Sequence, residues 1–171
     1  MEFQDKQDWT AFCRGDREAM VRIYNRHKDK LYSFSFYVTG DRQTSEDLVA
    51  DTFVRLMEQK NRLVFEDSLK NWLFICLRNM TYNLLKRNNR KNRMKTQDII
   101  DTVQDNSELK RFIVTILEKL EPNERELILL REQQGFSIPE ISEMFDISEE
   151  AVRTRLYRVR KKMQRLGKEI K

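Results

Sequence analysis

The sequence has few of the residues from which metal sites and catalytic sites are most often built. Its 171 residues include 2 cysteines and 1 histidine. Neither Cys13 nor Cys76 has a second cysteine or a histidine at metal-ligand spacing, so neither a Cys/His zinc site nor a histidine-based triad is indicated. Two isolated cysteines are typical of the reducing cytoplasm rather than of a secreted disulfide-rich protein.

Glycine, proline and long apolar runs are also scarce. With 4 glycines and 2 prolines, the chain has too few turn residues for a β-sandwich or barrel, so long helices are expected. The glycines lie far apart, and no glycine-rich phosphate loop exists. The longest apolar run, residues 72–77, is too short to cross a bilayer, and the amino terminus lacks a signal-peptide pattern. We therefore predict an all-α protein with no catalytic residues, no metal, no cofactor and no membrane insertion of its own.

The net charge is only +5, but the charged residues are unevenly distributed along the chain. Residues 61–95 carry 9 basic and 2 acidic side chains, residues 96–148 carry 5 and 12, and residues 149–171 carry 9 and 3. Two basic blocks are thus separated by an acidic one. Clustered lysine and arginine often marks a polyanionic partner, although solvated helix faces give the same pattern.

Apolar residues at helical spacing predict helices in the first half of the chain, over residues 8–38, 44–59 and 68–88. Gly15-Asp16 is expected to break the first of these segments. Thr44 or Ser45 is expected to cap the second helix, and Asp67 or Ser68 the third.

The third of these helices also carries a polar strip along its surface. The strip places cations, amides and a tyrosine in two adjoining columns: Arg78, Tyr82 and Lys86 beside Asn79, Asn83 and Arg87. Such a strip can contact phosphates, hydrogen-bond base edges and stack on an unpaired base. An ordinary solvated helix face is the alternative interpretation.

The segment 89–107 is polar and weakly patterned, which indicates a flexible linker. We therefore predict two small helical domains, residues 1–88 and 108–171. Two further helices are predicted over residues 108–131, broken near Pro122.

Residues 137–162 have the pattern of a helix-turn-helix. Ser137 and Glu140 have the spacing of a capping box, and Asp146-Ile147-Ser148 is expected to form the turn. The second helix combines buried apolar positions with many basic residues, as in the helix that such motifs place in the major groove. A plain αα-hairpin with a basic outer face is the alternative.

Four motifs, together with shorter matches at residues 15–19 and 31–32, are similar to one known family. Residues 45–56 (Ser-Glu-Asp-Leu-Val-Ala-Asp-Thr-Phe-Val-Arg-Leu), 71–79, 120–125 and 136–160 resemble, in order and spacing, the extracytoplasmic-function group of bacterial RNA polymerase sigma factors. The resemblance covers residues 10–165.

This resemblance implies a dissociable specificity subunit of the polymerase without catalysis of its own. The first domain would bind core polymerase and recognise and melt the −10 element, and the second would read the −35 element. The residues implied for core-polymerase binding are Asp47, Leu48, Asp51, Thr52 and Arg55. Those implied for −10 DNA are Arg62, Phe65, Arg78, Asn79, Tyr82, Asn83, Lys86 and Arg87. Those implied for −35 DNA are Glu150, Arg153, Thr154, Arg155, Tyr157, Arg158 and Lys161.

Core RNA polymerase, promoter DNA and an anti-sigma factor are the partners that the resemblance implies, all met in the cytoplasm. The main competing hypothesis is a helix-turn-helix transcriptional regulator that binds duplex DNA without docking on polymerase. The motif at 45–56 and the basic strip at 78–87 argue against it, because a simple repressor needs neither.

Overall fold

The computed structural model of the protein describes residues 2–60, 62–63, 68–88 and 108–170, and all regular structure in these residues is helical. The all-α class is therefore confirmed. In chain order the elements are α1 (Glu2–Cys13), α2 (Arg17–Thr39), α3 (Arg42–Glu58), α4 (Leu69–Asn88), α5 (Glu108–Glu118), α6 (Pro122–Ile128), a π-helical turn (Leu129–Gln133), α7 (Ile138–Phe145) and α8 (Glu149–Ile170). The predicted linker, residues 89–107, lies outside the described residues.

The first half contains helices where the sequence predicts them, but α1 begins at Glu2 and not at residue 8, and the caps differ. The break at Gly15-Asp16 is present, and Asp16 Oδ1 accepts hydrogen bonds from the first-turn amides of α2. The caps predicted for α3 are wrong, because this helix begins at Arg42 and Ser45 is buried inside it. Ser68 does not cap α4, because its buried hydroxyl has no hydrogen-bond partner in the described parts of the chain. Asp67 is not among the described residues.

The chain divides into two compact units. Unit 1 consists of the described residues of Met1–Ser35 and Gln43–Asn89, and unit 2 of those of Phe36–Arg42 and Arg90–Lys171. The end of α2 therefore groups with the second half of the chain, which the sequence did not predict. In unit 1 the buried apolar side chains of α2, α3 and α4, together with Trp9 of α1, form one core, where the rings of Phe34 and Phe74 meet edge to face with centroids 5.5 Å apart.

An ion-pair network joins α1 to α2 inside unit 1. Asp5, which is 2% exposed, lies 3.0 Å from Nε2 of the buried His27 and also pairs with Arg26. Asp8 accepts hydrogen bonds from Arg26 at 2.6 Å and from Arg22 at 2.8 Å. Burial acts to raise the pKa of Asp5, but the hydrogen bonds of His27 and Arg26 outweigh it, and the pKa lies below its usual range.

This network predicts an acid-dependent loss of stability in unit 1. A carboxyl group with a depressed pKa stabilises the folded state above its unfolded pKa of about 4, and that contribution is lost as the pH falls through the folded value. We expect Asp5→Asn to lower the free energy of unfolding at pH 7 by about 3 kcal/mol and to flatten its decline below pH 4.

Urea unfolding followed by tryptophan fluorescence measures this effect in unit 1, because Trp9 and Trp72 are the only tryptophans and both belong to that unit. The control is Asp29→Asn, which removes an exposed carboxylate from α2. Equal acid slopes for wild type and Asp5→Asn would show that the network does not set the pH dependence.

The core of unit 2 is built where α8 packs against α5, α6 and α7. Val152, Leu156 and Val159 are the buried positions in the first half of α8, and Leu166 is buried further along. A Cβ added at Gly167 would lie 3.4 Å from the ring of Phe112 on α5, an ordinary van der Waals distance, so α5 passes close to α8 at this position.

A buried arginine connects several helix ends in unit 2. The side chain of Arg125 is 1% exposed and donates to the carbonyl oxygens of Leu117 at 2.9 Å and Leu120 at 3.0 Å, at the end of α5. It also donates to the Tyr37 carbonyl at 3.1 Å and the Val38 carbonyl at 3.4 Å, in the last turn of α2. Burial lowers the pKa of Arg125, yet its guanidinium stays protonated and donates to backbone carbonyls near the ends of α2 and α5, of which the Leu117 carbonyl also accepts from the Leu120 amide at 3.1 Å.

We expect Arg125→Met to reduce the free energy of unfolding by about 3 kcal/mol, because it leaves several buried carbonyl groups without donors. Urea unfolding followed by far-ultraviolet circular dichroism measures the change. Arg111→Met is the matched control; Arg111 is exposed on α5, so its replacement should cost under about 0.5 kcal/mol. A loss in Arg125→Met no larger than in the control would contradict the structural role of Arg125.

Candidate nucleic-acid interface

Helices α7 and α8 form the helix-turn-helix that the sequence predicts. The Ser137 hydroxyl accepts a hydrogen bond from the Glu140 amide at 3.3 Å, and the Glu140 carboxylate accepts one from the Ser137 amide at 2.7 Å. Pro139 lies in the first turn of α7, where its missing N–H costs nothing. This reciprocal capping starts α7 at the predicted position.

The turn between the two helices is fixed by short polar side chains. Asp146 ends α7 in the left-handed conformation with φ 50°, which aspartate tolerates better than most residues. The Ser142 hydroxyl donates to the Ile147 carbonyl at 2.5 Å, and the Ser148 hydroxyl accepts from the Ala151 amide at 3.1 Å. The direction in which α8 leaves the turn is thereby determined locally.

The predicted −35 residues all lie on the exposed side of α8. Because Val152, Leu156 and Val159 face the core, most of the other positions in the first four turns face solvent. These exposed positions include Glu150, Arg153, Thr154, Arg155, Tyr157, Arg158 and Lys161. A single helix with this surface has the size and charge to enter a major groove.

Two basic residues of α8 are engaged with the helices beneath it. Arg160 pairs with Glu132 of the π-helical turn at 2.5 Å, and Lys162 pairs with Glu124 of α6 at 2.5 Å. Both pairs join residues distant in sequence and orient α8 on the elements beneath it, the partly buried Lys162 pair more firmly than the exposed Arg160 pair. Neither cation is therefore a primary candidate for DNA contact.

The other cations of α8 are more available. Arg153 pairs with Glu149 one turn earlier at 2.7 Å, an exposed contact that competes only weakly with another anion. Arg155 and Arg158 are exposed and form no ion pair with any residue that the structure describes. The ammonium group of Lys161 lies 5.6 Å from the centre of the Tyr157 ring.

The polar strip on α4 is largely exposed. Leu77, Met80 and Thr81 are buried, which turns the neighbouring positions outward. Arg78 is half-buried, and Asn79, Tyr82, Asn83 and Lys86 are exposed. Arg62 is exposed in the turn that follows α3. Phe65 and the side chain of Arg87 lie outside the described residues.

On α3 the structure separates the five predicted polymerase-binding residues into two groups. Asp47, Asp51 and Arg55 are exposed, and Asp47 accepts a hydrogen bond from Gln43 at 3.0 Å. Leu48 and Thr52 are buried, and the Thr52 hydroxyl donates to the Leu48 carbonyl at 2.7 Å. In this fold those two side chains support the helix from inside and do not reach a surface.

Comparison with known protein families matches both halves of the chain. Residues 23–91 match the family model Sigma-70 region 2, and residues 113–163 match Sigma-70, region 4. Among curated proteins, the chain is 27% identical to the ECF RNA polymerase sigma factor SigX of Bacillus subtilis, over 90% of this chain and 88% of SigX. It is 25% identical to the RNA polymerase sigma factor CarQ of Myxococcus xanthus, over 93% of this chain and 95% of CarQ.

The chain belongs to the extracytoplasmic-function group of RNA polymerase sigma factors. It is also 25% identical to the ECF RNA polymerase sigma factor BldN of Streptomyces coelicolor, where the match covers 89% of this chain but only 61% of BldN.

Two solved structures are similar to this sigma factor. CnrH, in a complex with the cytosolic domain of CnrY, has a TM-score of 0.73 and 23% sequence identity, over 95% of this chain and 96% of CnrH. That likeness supports the fold. The sigma factor RpoE from Bartonella quintana, in a complex with the anti-sigma factor NepR, has a TM-score of 0.70 and 25% identity, over 86% of this chain and 95% of RpoE.

The structure adds surface residues of this sigma factor that the sequence analysis did not single out. Val54 and Met57 are exposed on α3, and Tyr24 of α2 contacts the ring of Phe53 beside them with centroids 4.9 Å apart. Val54 lies off the buried stripe of α3, which was a signal for its exposure. Met57 follows the buried Phe53 at i+4, so helical spacing groups it with the apolar side, and the structure corrects that expectation. Together with Tyr24 they form an exposed apolar patch next to the polar residues of α3.

Neither membrane-spanning helices nor metal-binding clusters occur in the described ranges. None of the helices there combines the length and the apolar character needed to cross a bilayer. The same residues contain no group of three or more histidine, cysteine, aspartate or glutamate side chains placed to hold a metal ion.

The division of the cations on α8 predicts different effects of two arginine substitutions. In holoenzyme assembled with core polymerase, Arg155→Ala should weaken binding to promoter duplex by about 1–3 kcal/mol if its side chain reads a base. Arg160→Ala should change it less than about threefold, because that side chain is paired with Glu132. Fluorescence anisotropy with a set of −35 base substitutions measures both effects. Equal losses for the two variants would refute the division.

Proposed function

We propose that this sigma factor binds core RNA polymerase and directs promoter-specific initiation through contacts with −10 and −35 DNA. The observation that carries the proposal is that two different basic surfaces, on α4 and α8, occur in one chain that matches regions 2 and 4 in order. We infer that it acts by binding, without catalysis of its own, and that it works in the cytoplasm, where polymerase and promoter DNA are found.

The −35 element is assigned to α8. Its exposed face combines Arg153, Arg155 and Arg158 with Thr154, so phosphate contact and hydrogen bonding to base edges are both available. Glu150 lies in the first turn, where a carboxylate favours the helix N-terminus and can also accept a bond from a cytosine amino group. Tyr157 and Lys161 extend the same surface by one turn.

The −10 element is assigned to α4 and to the segment before it. Tyr82 is 49% exposed, and an aromatic ring held open in this way can stack on an unpaired base. Asn79 and Asn83 can hydrogen-bond base edges, and Lys86 can neutralise a phosphate. We include Arg62, Phe65, Arg78 and Arg87 in this assignment, which rests on the family resemblance for the residues that the structure does not describe.

Core polymerase is assigned to the exposed side of α3. Asp47, Asp51 and Arg55 would supply polar contacts, and Val54 and Met57 would supply the apolar contacts that a stable interface also needs. Leu48 and Thr52 are left out, because a buried side chain cannot contact a partner without unfolding its surroundings.

The two proposed recognition functions divide the chain into residues 1–88 for polymerase and −10 DNA, a linker of residues 89–107, and residues 108–171 for −35 DNA. An anti-sigma factor is a further proposed partner. RpoE of Bartonella quintana, similar to this chain in fold and sequence, was solved in a complex with the anti-sigma factor NepR. An inhibitor of this kind would cover the surfaces that polymerase uses.

A run-off transcription assay tests the proposal directly. Purified protein with bacterial core polymerase should start transcripts at defined sites in a promoter library from its source genome, whereas core alone should not. We expect Asp51→Arg to lower the affinity for core polymerase about tenfold, because it replaces a negative charge on α3 with a positive one. Asp29→Arg makes the same charge change on α2 and should have no such effect.

The alternative, a helix-turn-helix regulator without polymerase docking, makes the opposite prediction. It would bind promoter duplex equally well without core and would yield no start sites with core. Duplex binding in the absence of initiation would therefore replace the proposed function with this alternative.

A further inference from the structure

Glu132 is a carboxylate that a neighbouring element brings to α8. It belongs to the π-helical turn Leu129–Gln133, and its Oε1 lies 2.5 Å from a guanidinium nitrogen of Arg160. The Phe136 amide, just after the turn, donates to the Leu130 carbonyl at 3.0 Å, and both of these side chains are fully buried. The backbone that carries Glu132 is therefore anchored in the core of unit 2, and π-helical turns frequently mark functional positions.

The pair between Glu132 and Arg160 adds little to the stability of the fold. The two side chains are 55% and 51% exposed, and exposed ion pairs gain little because water and salt screen them. Loss of the pair should therefore leave unit 2 folded. What the pair does determine is the charge at one point of the helix that the proposed function places in DNA.

Arg160 lies on the same flank of α8 as Arg153, a proposed −35 contact. The two residues are seven positions apart, which corresponds to two helical turns and about 10 Å along the axis. The major groove is about 12 Å wide, close to the diameter of a helix with its side chains, so each flank of an inserted helix faces a phosphate backbone. An unpaired arginine at position 160 would therefore meet phosphate groups.

The carboxylate partners of these two arginines differ in their surroundings. Glu149 lies in the first turn of α8, where the helix N-terminus stabilises a carboxylate, so Arg153 can turn from it to DNA at little cost. Glu132 has no second cation or hydrogen-bond donor among the residues that the structure describes. If Arg160 turned to a phosphate group, an uncompensated carboxylate would be left beside a polyanion, and the two would repel each other.

We propose that Glu132 is a positioning residue for promoter binding, which holds Arg160 away from DNA and so removes one phosphate contact from α8. This inference rests on the proposed −35 function and sets a limit on its affinity. A phosphate contact raises the affinity for all sequences alike. Glu132 thus lowers the sequence-independent attraction of α8 to DNA, while base reading by Arg153 and its exposed neighbours is unaffected.

The test compares wild-type and Glu132→Gln holoenzyme on two duplexes over a range of salt concentrations. One duplex is a promoter mapped by the run-off assay, and the other is the same sequence with its −35 element scrambled. Glu132→Gln should raise the affinity for both on the order of fivefold at about 0.1 M salt and steepen the salt slope by about 0.9, because one more phosphate group is neutralised. The ratio of the two affinities should stay as in the wild type. A purely structural role for Glu132 predicts the opposite, a loss of affinity.

A double-mutant cycle assigns the gain to Arg160. In the Arg160→Ala background, Glu132→Gln should change neither the affinity nor the salt slope, because the cation that it would release is gone. Asp29→Asn is the control: it removes an exposed carboxylate from α2, makes the same change in net charge, and should leave the salt slope unchanged. Circular dichroism and urea unfolding verify that each variant is folded.

Three results would overturn the inference. The first is that Glu132→Gln has the salt slope of the wild type. The second is that its gain persists in the Arg160→Ala background, since Glu132 would then act by its own repulsion of DNA. The third is that Glu132→Gln lowers the affinity for both duplexes. Wild-type holoenzyme that fails to distinguish the promoter from its scrambled form would instead overturn the proposed −35 function on which the inference rests.

Discussion

The burial of three side chains on α8 determines which surface this sigma factor can offer to DNA. Val152, Leu156 and Val159 are needed in the core of unit 2, so the helix cannot turn without exposing them to water. The Glu132–Arg160 and Glu124–Lys162 pairs favour the same orientation of α8, at positions where it crosses the elements beneath it. The basic helix α8 therefore presents one defined face to DNA and does not attract polyanions on every side.

In unit 1 the position of a helix is fixed by charged side chains and not by apolar contacts. Helix α1 has little apolar patterning, and its attachment to α2 relies on buried carboxylates that meet arginine and histidine. Ion pairs at this degree of burial contribute little net stability but penalise misalignment strongly, because one displaced partner leaves a buried charge. The network therefore fixes where α1 lies more effectively than it strengthens the unit.

The sequence predicted those features that depend on neighbouring residues. Helix number, the break at Gly15-Asp16, the capping box of Ser137 and the buried stripe of α8 all follow from local spacing, and the structure contains them. It did not predict features that depend on distant contacts. Arg125 looks like any surface arginine of a short helix, yet its partners lie up to 88 residues away. The rotation of α3 that buries Leu48 and Thr52 is likewise decided by packing against other helices.

The grouping of Phe36–Arg42 with the second half of the chain bears on how the protein can be dissected. A fragment cut within the predicted linker would begin after residue 88 and would lack the carbonyl groups of Tyr37 and Val38 to which Arg125 donates. In such a fragment the Arg125 guanidinium would contact water, or have no partner, in place of these two carbonyl groups. The structural unit that contains the helix-turn-helix is therefore discontinuous in sequence, and a contiguous piece that carries the whole motif is still an incomplete fold.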